Sequence, residues 1–220
     1  MNPIYHIIPS IPLILVITAM IIDYQVISRI VIKKANELFE KQEYEKCFFV
    51  LNQHLHRLRE KRIIFPIQLI KLNYAIQANY KDEKIETLKK IKINFRQEKY
   101  VYFYLQLMIR LFCIGDEEGI KAAQIDFPAK AIKKFDKKLK SVVLLLLYLK
   151  DDFEGKRVNV NDVLPLLNDF GKDELMFAYF LIYKICEMDD KEIYLQTART
   201  YAKGSYIDAL LNRLVKEKAK

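Results

Sequence analysis

The sequence predicts an all-α protein. About five helical hairpins follow one another over roughly residues 30–203, with a capping helix at the C-terminal end and a hydrophobic helix ahead of them. Three observations predict it. Glycine (5) and proline (6) are scarce in 220 residues, whereas a β-rich or Rossmann-type chain of this length needs many turn glycines. Short acidic turns interrupt the apolar stretches near Glu43, Asp82, Asp116, Asp151 and Asp189, at gaps of 39, 34, 35 and 38 residues. Recurrence at that period is a mark of helix–turn–helix repeats. Finally, YVYFYLQLMIRLFC (100–113), VVLLLLYL (142–149) and LMFAYFLIYKIC (175–186) are apolar nearly all round, as rods sandwiched between neighbouring pairs must be.

The first element is IYHIIPSIPLILVITAMII (4–22), without a formal charge except on a protonated His6. Its length is just adequate to cross a bilayer. Pro9 and Pro12 weaken the early part, and Ser10 is placed to cap a helix starting at Ile11. There is no basic n-region or small-x-small site, so a cleaved signal peptide is not expected. Residues 1–24 are therefore read as a transmembrane anchor and 25–220 as a helical repeat domain. Arg29, Lys33 and Lys34 follow the oily segment. Positive-inside logic then predicts a single-pass protein of the cell membrane with a cytoplasmic C-terminal domain. The same three residues are expected at headgroup level, at about 1 kcal/mol each on an anionic leaflet. The alternative is an N-terminal helix buried in the fold or docked on a partner protein.

The first hairpin is centred on KKANELFEKQEYEKCFFVLNQHL, Lys33 to Leu55. It resembles a tetratricopeptide repeat. In that resemblance Ala35 takes the small position of the first helix, and Leu38 and Phe39 its large apolar ones. Tyr44 is the turn aromatic, Cys47 the small residue of the second helix and Leu51 the large one. Gln42 stands where a glycine is common, His54 where a second small residue is, and no proline closes the unit. The later units (about 66–97, 99–127, 135–170 and 172–203) keep the helix–acidic turn–helix pattern, the last two by spacing alone. The resemblance implies an α-α superhelix whose first helices line a concave, partner-binding face. By register with the first unit, Asn36, Asn73, Gln77, Gln106 and Arg110 are the candidate groove residues.

Pro66 is expected to open a helix. DEKIETLKKIKINF (82–95) reads as an amphipathic second helix through Ile85, Leu88, Ile91 and Phe95. Gly115, Gly119, Gly155, Gly171 and Gly204 fall at or beside turns. A final helix over 205–219, capped by Ser205, places Ile207, Leu210, Leu211 and Leu214 on one side, as an end cap requires.

Three separated cysteines, Cys47, Cys113 and Cys186, each with apolar neighbours, indicate core packing in a reducing compartment. The net charge of +9 is spread over RLREKR (57–62), LKKIKINFRQEK (88–99), KAIKKFDKKLK (130–140) and RLVKEKAK (213–220). Such runs are ordinarily solvated helix faces. The other classes weighed are an anionic membrane surface and nucleic acid.

No catalytic signature is present. His54 and His56, two apart on a helix, diverge too far to share a metal. DFEGKR (152–157) lacks the first glycine and the Ser/Thr of a P-loop. No catalytic, cofactor or metal residues are assigned, and no enzyme is expected. Nucleic acid is disfavoured because no recognised reading motif appears. The leading expectation is a non-catalytic adaptor or scaffold, held at the membrane, that binds a protein or peptide. The alternatives are a soluble helical protein of immunity or regulatory type, whose first segment docks on a partner, and a basic nucleic-acid-binding protein.

Overall fold

A computed structural model describes residues 26–186 and 191–203, the side chain of Lys61 apart. The expected anchor over 1–24, the turn at Asp189, Gly204 and the final helix over 205–219 lie outside the described residues. Every regular element among the described residues is helical. They fall into two compact units, up to Glu83 and from Lys84 onward.

In the first unit, α1 spans 26–40, α2 Tyr44–Arg57 and α3 Lys61–Gln77, while α4, Lys81–Lys90, begins there and runs across the division. The apolar residues recur at helical spacing, and their shared side is the core. Ala35 of α1, Cys47 and Leu51 of α2, Leu58, and Ile67 of α3 are buried together, ringed by Leu38, Phe39, Leu55 and Tyr74. An alanine and a cysteine at the centre let the helices approach closely. Helix α3 begins a turn earlier than expected, so Pro66 lies inside it. The Glu60 carbonyl accepts from both Ile63 and Ile64 amides (3.1 and 3.2 Å), which starts the helix before the proline is reached.

The second unit continues α4 and adds α5 (Glu98–Cys113), α6 (Glu117–Ala122), α7 (Ala129–Ile132) and α8 (Lys137–Phe153). Next come α9 (Val160–Val163), which runs into a 3-10 turn at Leu164–Asp169, then α10 (Lys172–Ile185) and α11 (Lys191–Ala202). The three predicted rods are α5, α8 and α10, and each is buried on several sides. Their partners are mostly sequence neighbours: α5 on α8, α8 on α10, α10 on α11. This arrangement is consistent with a helical repeat. One contact skips a hairpin, because α10 also packs on α5.

One second helix is shorter than its pattern suggests, and one first helix is longer. Helix α4 stops at Lys90, leaving Phe95 in the following loop. Asn94 is the cause: its side chain accepts from the Arg96 amide (3.2 Å) and its carbonyl from Gln97 (2.9 Å), a turn that competes with helix. Asp151, expected in a turn, is still helical in α8, which runs on to Phe153.

The hairpin turns repeat one geometry. Gln42, Asn79, Gly115 and Gly155 all have positive φ, at 61°, 52°, 67° and 72°. Around each, the same two hydrogen bonds close the preceding helix: Glu43 N to Leu38 O (2.9 Å) and Gln42 N to Phe39 O (2.9 Å) in the first. In the later turns Tyr80 bonds Ala75, Asp116 bonds Leu111 and Lys156 bonds Asp151, each with its inner companion bond. This is the Schellman closure, which satisfies otherwise orphaned carbonyls.

Candidate functional site

The five candidate groove residues fall into two sets, one in each unit. In the first unit Asn36 is exposed on α1, and its side-chain oxygen accepts from the Tyr74 hydroxyl of α3. Asn73 and Gln77 sit one turn apart on that same helix, joined amide to amide at 3.2 Å. Tyr74 also stacks on Phe39 (4.3 Å, 16°), which in turn meets Tyr44 at 5.3 Å. A polar strip, Asn36–Tyr74 with Asn73 and Gln77, therefore runs beside an aromatic ladder along two first helices. Tyr74 was not singled out from sequence; its only signal was a position next to Asn73. Burial is the chief cause raising its hydroxyl pKa, so it stays a neutral donor.

In the second unit Gln106 is half-buried and donates to the Glu174 carboxylate at 3.0 Å. Glu174 is 2% exposed; its other oxygen accepts from the Gly171 amide (2.8 Å) and lies 3.7 Å from Lys138. Gln106 thus serves the N-terminal cap of α10, and its amide is committed inside the fold. Arg110 lies one turn further along α5 and is half-buried. The sequence pattern carried no sign of Glu174 as its partner, because the two are 68 residues apart.

Arg29, Lys33 and Lys34 are all exposed on α1. Their helix is tied to α2 by Ser28 and His54, both buried, with Oγ and Nε2 at 3.2 Å. Burial is the first cause, and nearby Arg57 the second, holding the His54 imidazole below its ordinary pKa. His56 points to solvent, so the two histidines diverge as their spacing requires.

All three cysteines are buried and free, and burial pushes Cys47 up to about 11 and Cys113 up to about 12. Cys47 and Cys113 are inert packing residues at neutral pH. Among the described residues no group of three His, Cys, Asp or Glu side chains is placed to hold a metal, and no helix is long and apolar enough to cross a membrane. Charged pairs instead knit the helices: Lys71 to Glu83 at 2.5 Å, Lys84 to Asp116, and Lys184 to Asp152.

Comparison of the chain with protein-family models, with curated proteins and with solved structures finds no match.

Proposed function

We propose that this chain is a non-catalytic adaptor: a tetratricopeptide-like helical repeat domain, anchored at the cell membrane by residues 1–24 and facing the cytoplasm, that holds a protein or peptide. The observation that carries the reading is the polar strip of Asn36, Tyr74, Asn73 and Gln77 on adjacent first helices. Exposed Asn36, held by the Tyr74 hydroxyl, and exposed Gln77, held by half-buried Asn73, are suited to hold the backbone of an extended peptide. They offer donors and acceptors without the cost of desolvating a charge. The aromatic ladder beside them supplies an apolar bank. The recurring left-handed turn supports the repeat, since each hairpin that carries it closes its first helix with the same pair of hydrogen bonds. In this reading Arg29, Lys33 and Lys34 lie at the lipid headgroups.

The test is photo-crosslinking from single positions in intact cells. Crosslinkers at Asn36, Asn73 and Gln77 should capture one common partner, and those at Phe49 and Gln53, exposed on α2, should not. Capture only from the α2 positions would remove the groove. Release of the chain by alkaline carbonate would remove the anchor.

A further inference from the structure

The second unit gathers unpaired cations at one end. Helices α5, α8 and α10 run parallel, because their starts meet one another and their ends do the same. At the starts, Lys138 lies over the Tyr102 ring at 5.0 Å and Gln106 meets Glu174 at 3.0 Å. At the ends, Phe112 packs edge-on against Phe153 (5.7 Å), and Lys184 pairs with Asp152. The segments that lead into α5 and α8 also come together at the starting end. Phe95 meets Phe127 at 6.1 Å, and the Tyr104 hydroxyl donates to the Gln124 carbonyl at 2.8 Å.

Lys89, Lys92 and Arg96 stand before α5, and Lys99 in its first turn. Lys130, Lys133 and Lys134 stand before α8, and Lys140 in its first turn. All eight are exposed, and none is ion-paired among the described residues. The acids at this end are fewer, and most are engaged. Asp136 caps α8, Asp169 takes Lys137 and Ser141, and Glu86 pairs with Lys90. Buried Glu174 holds Gln106 and the Gly171 amide. Glu98, Asp126 and Asp173 are exposed, the last next to exposed Lys172. Helix α8 has Lys137, Lys138 and Lys140 in its first turn and no acid there, where the macrodipole favours acids. Charge kept against a helix's own preference is expected where a ligand is bound.

Between the starts of α5 and α8 opens a cleft of about 310 Å³, lined by Glu98, Lys99, Tyr102, Asp136, Lys138 and Leu139. It sets a half-buried tyrosine ring beside two cations and the exposed Glu98 carboxylate. That set matches a nucleotide: phosphate for the lysines, a base face for the ring, a base amino group for Glu98. A leaflet contact would place large apolar side chains among the cations, and among the described residues none is exposed at this end. Protein interfaces are poor in lysine, and seven of the eight cations are lysine.

We propose that this end of the second unit binds single-stranded nucleic acid. The cations before α5 and α8 hold phosphates on either side of the cleft, and Tyr102 takes one base. Contacts to phosphates and to a ring face need no sequence-reading motif. The inference goes beyond the adaptor reading and depends on neither the first-unit groove nor the anchor.

The test is fluorescence anisotropy of a labelled oligo(dC) strand with the full chain in an uncharged detergent. Binding should weaken about 50-fold between 50 and 200 mM salt, the slope of about four phosphate contacts. K133Q/K134Q should roughly halve that slope, and K41Q/K46Q, exposed in the first unit, should leave it unchanged. Tyr102→Leu should weaken binding about tenfold at an unchanged slope. An abasic strand should bind about tenfold more weakly to the unaltered chain, a readout independent of how the variant folds. No binding at 50 mM salt overturns the proposal, as does equal binding of the abasic strand or an equal loss in K41Q/K46Q. Displacement of the strand by short-chain phosphatidylglycerol at equal charge assigns this end to a leaflet and also overturns it. Displacement by polyglutamate does the same in favour of an acidic protein. None of these results bears on the crosslinks from Asn36, Asn73 and Gln77 or on carbonate release, so the two readings fail separately.

Discussion

The two units close their hairpins with the same turn and different residues. In the first unit the left-handed position is held by Gln42 and Asn79; in the second by Gly115 and Gly155. The hydrogen bonds around them match. Glycine adopts this conformation without strain, asparagine with little, and glutamine at a cost of about 1 kcal/mol or more. The turn therefore does not depend on glycine. The packing of successive helices imposes it, and the first unit accepts a strained backbone to keep it.

The largest expected effect concerns what stabilises the second-unit turn besides its glycine. Asp116 caps α6 by accepting from Gly119 N (2.9 Å) and is paired with buried Lys84. Lys84→Ala leaves a mostly buried carboxylate without its cation and should cost about 3–5 kcal/mol in urea unfolding. In the first unit the turn residue Glu43 pairs instead with exposed Lys46, and Lys46→Ala should leave unfolding unchanged. Equal responses would erase the contrast between the units.

Core truncations come next. Leu51→Ala in the first unit and Leu107→Ala in the second, both fully buried, should each cost about 2–5 kcal/mol. A clearly smaller loss at Leu51 would show that the first unit is loosely packed.

The turn itself gives the sharpest comparison. A Cβ at Gly115 would meet nothing within 4 Å, so Gly115→Ala reports backbone strain alone and should destabilise by about 1 kcal/mol. Gln42→Gly should go the other way, stabilising by roughly 0.5–1 kcal/mol, and Asn79→Gly by less. Loss of stability in Gln42→Gly would mean that the side chain, and not the packing, sets the turn.

The smallest effect is that of pH. His54 is held neutral by burial, with its folded pKa below the unfolded value of about 6.5. The unfolded chain thus binds the extra proton. The His54 contribution is complete above about pH 6.5 and is lost as pH falls toward the lower folded pKa. In His54→Gln the acid side of the first unit's stability profile should be flatter; an unchanged profile would detach His54 from the packing of α1.

Much of the fold was legible because it is written in local periodicity. The all-round apolar rods, the burial of Cys47, Cys113 and Cys186, and the turns near Gln42 and Gly115 follow from residues within a few positions of one another. Helix ends were less legible. Asn94 stopped α4 through its own side chain, and Pro66 was overrun because its helix had already begun. Of the candidate site, Asn73 and Gln77 meet along their own helix, and Asn36 joins that helix only through Tyr74. Gln106 proved to be half-buried against Glu174, a contact no helical register could announce.

What the sequence determined by itself, then, is which stretches are helical, how often the chain reverses and which residues must leave water. Each of these depends on neighbours along the chain. Tertiary structure alone decided that Ser28 meets His54, that Tyr74 spans to Asn36, and that α10 touches both α8 and α5. Those contacts join residues dozens of positions apart. Their pairing depends on how side chains of given volume fill the space between helices, a property of three-dimensional packing that no one-dimensional pattern contains.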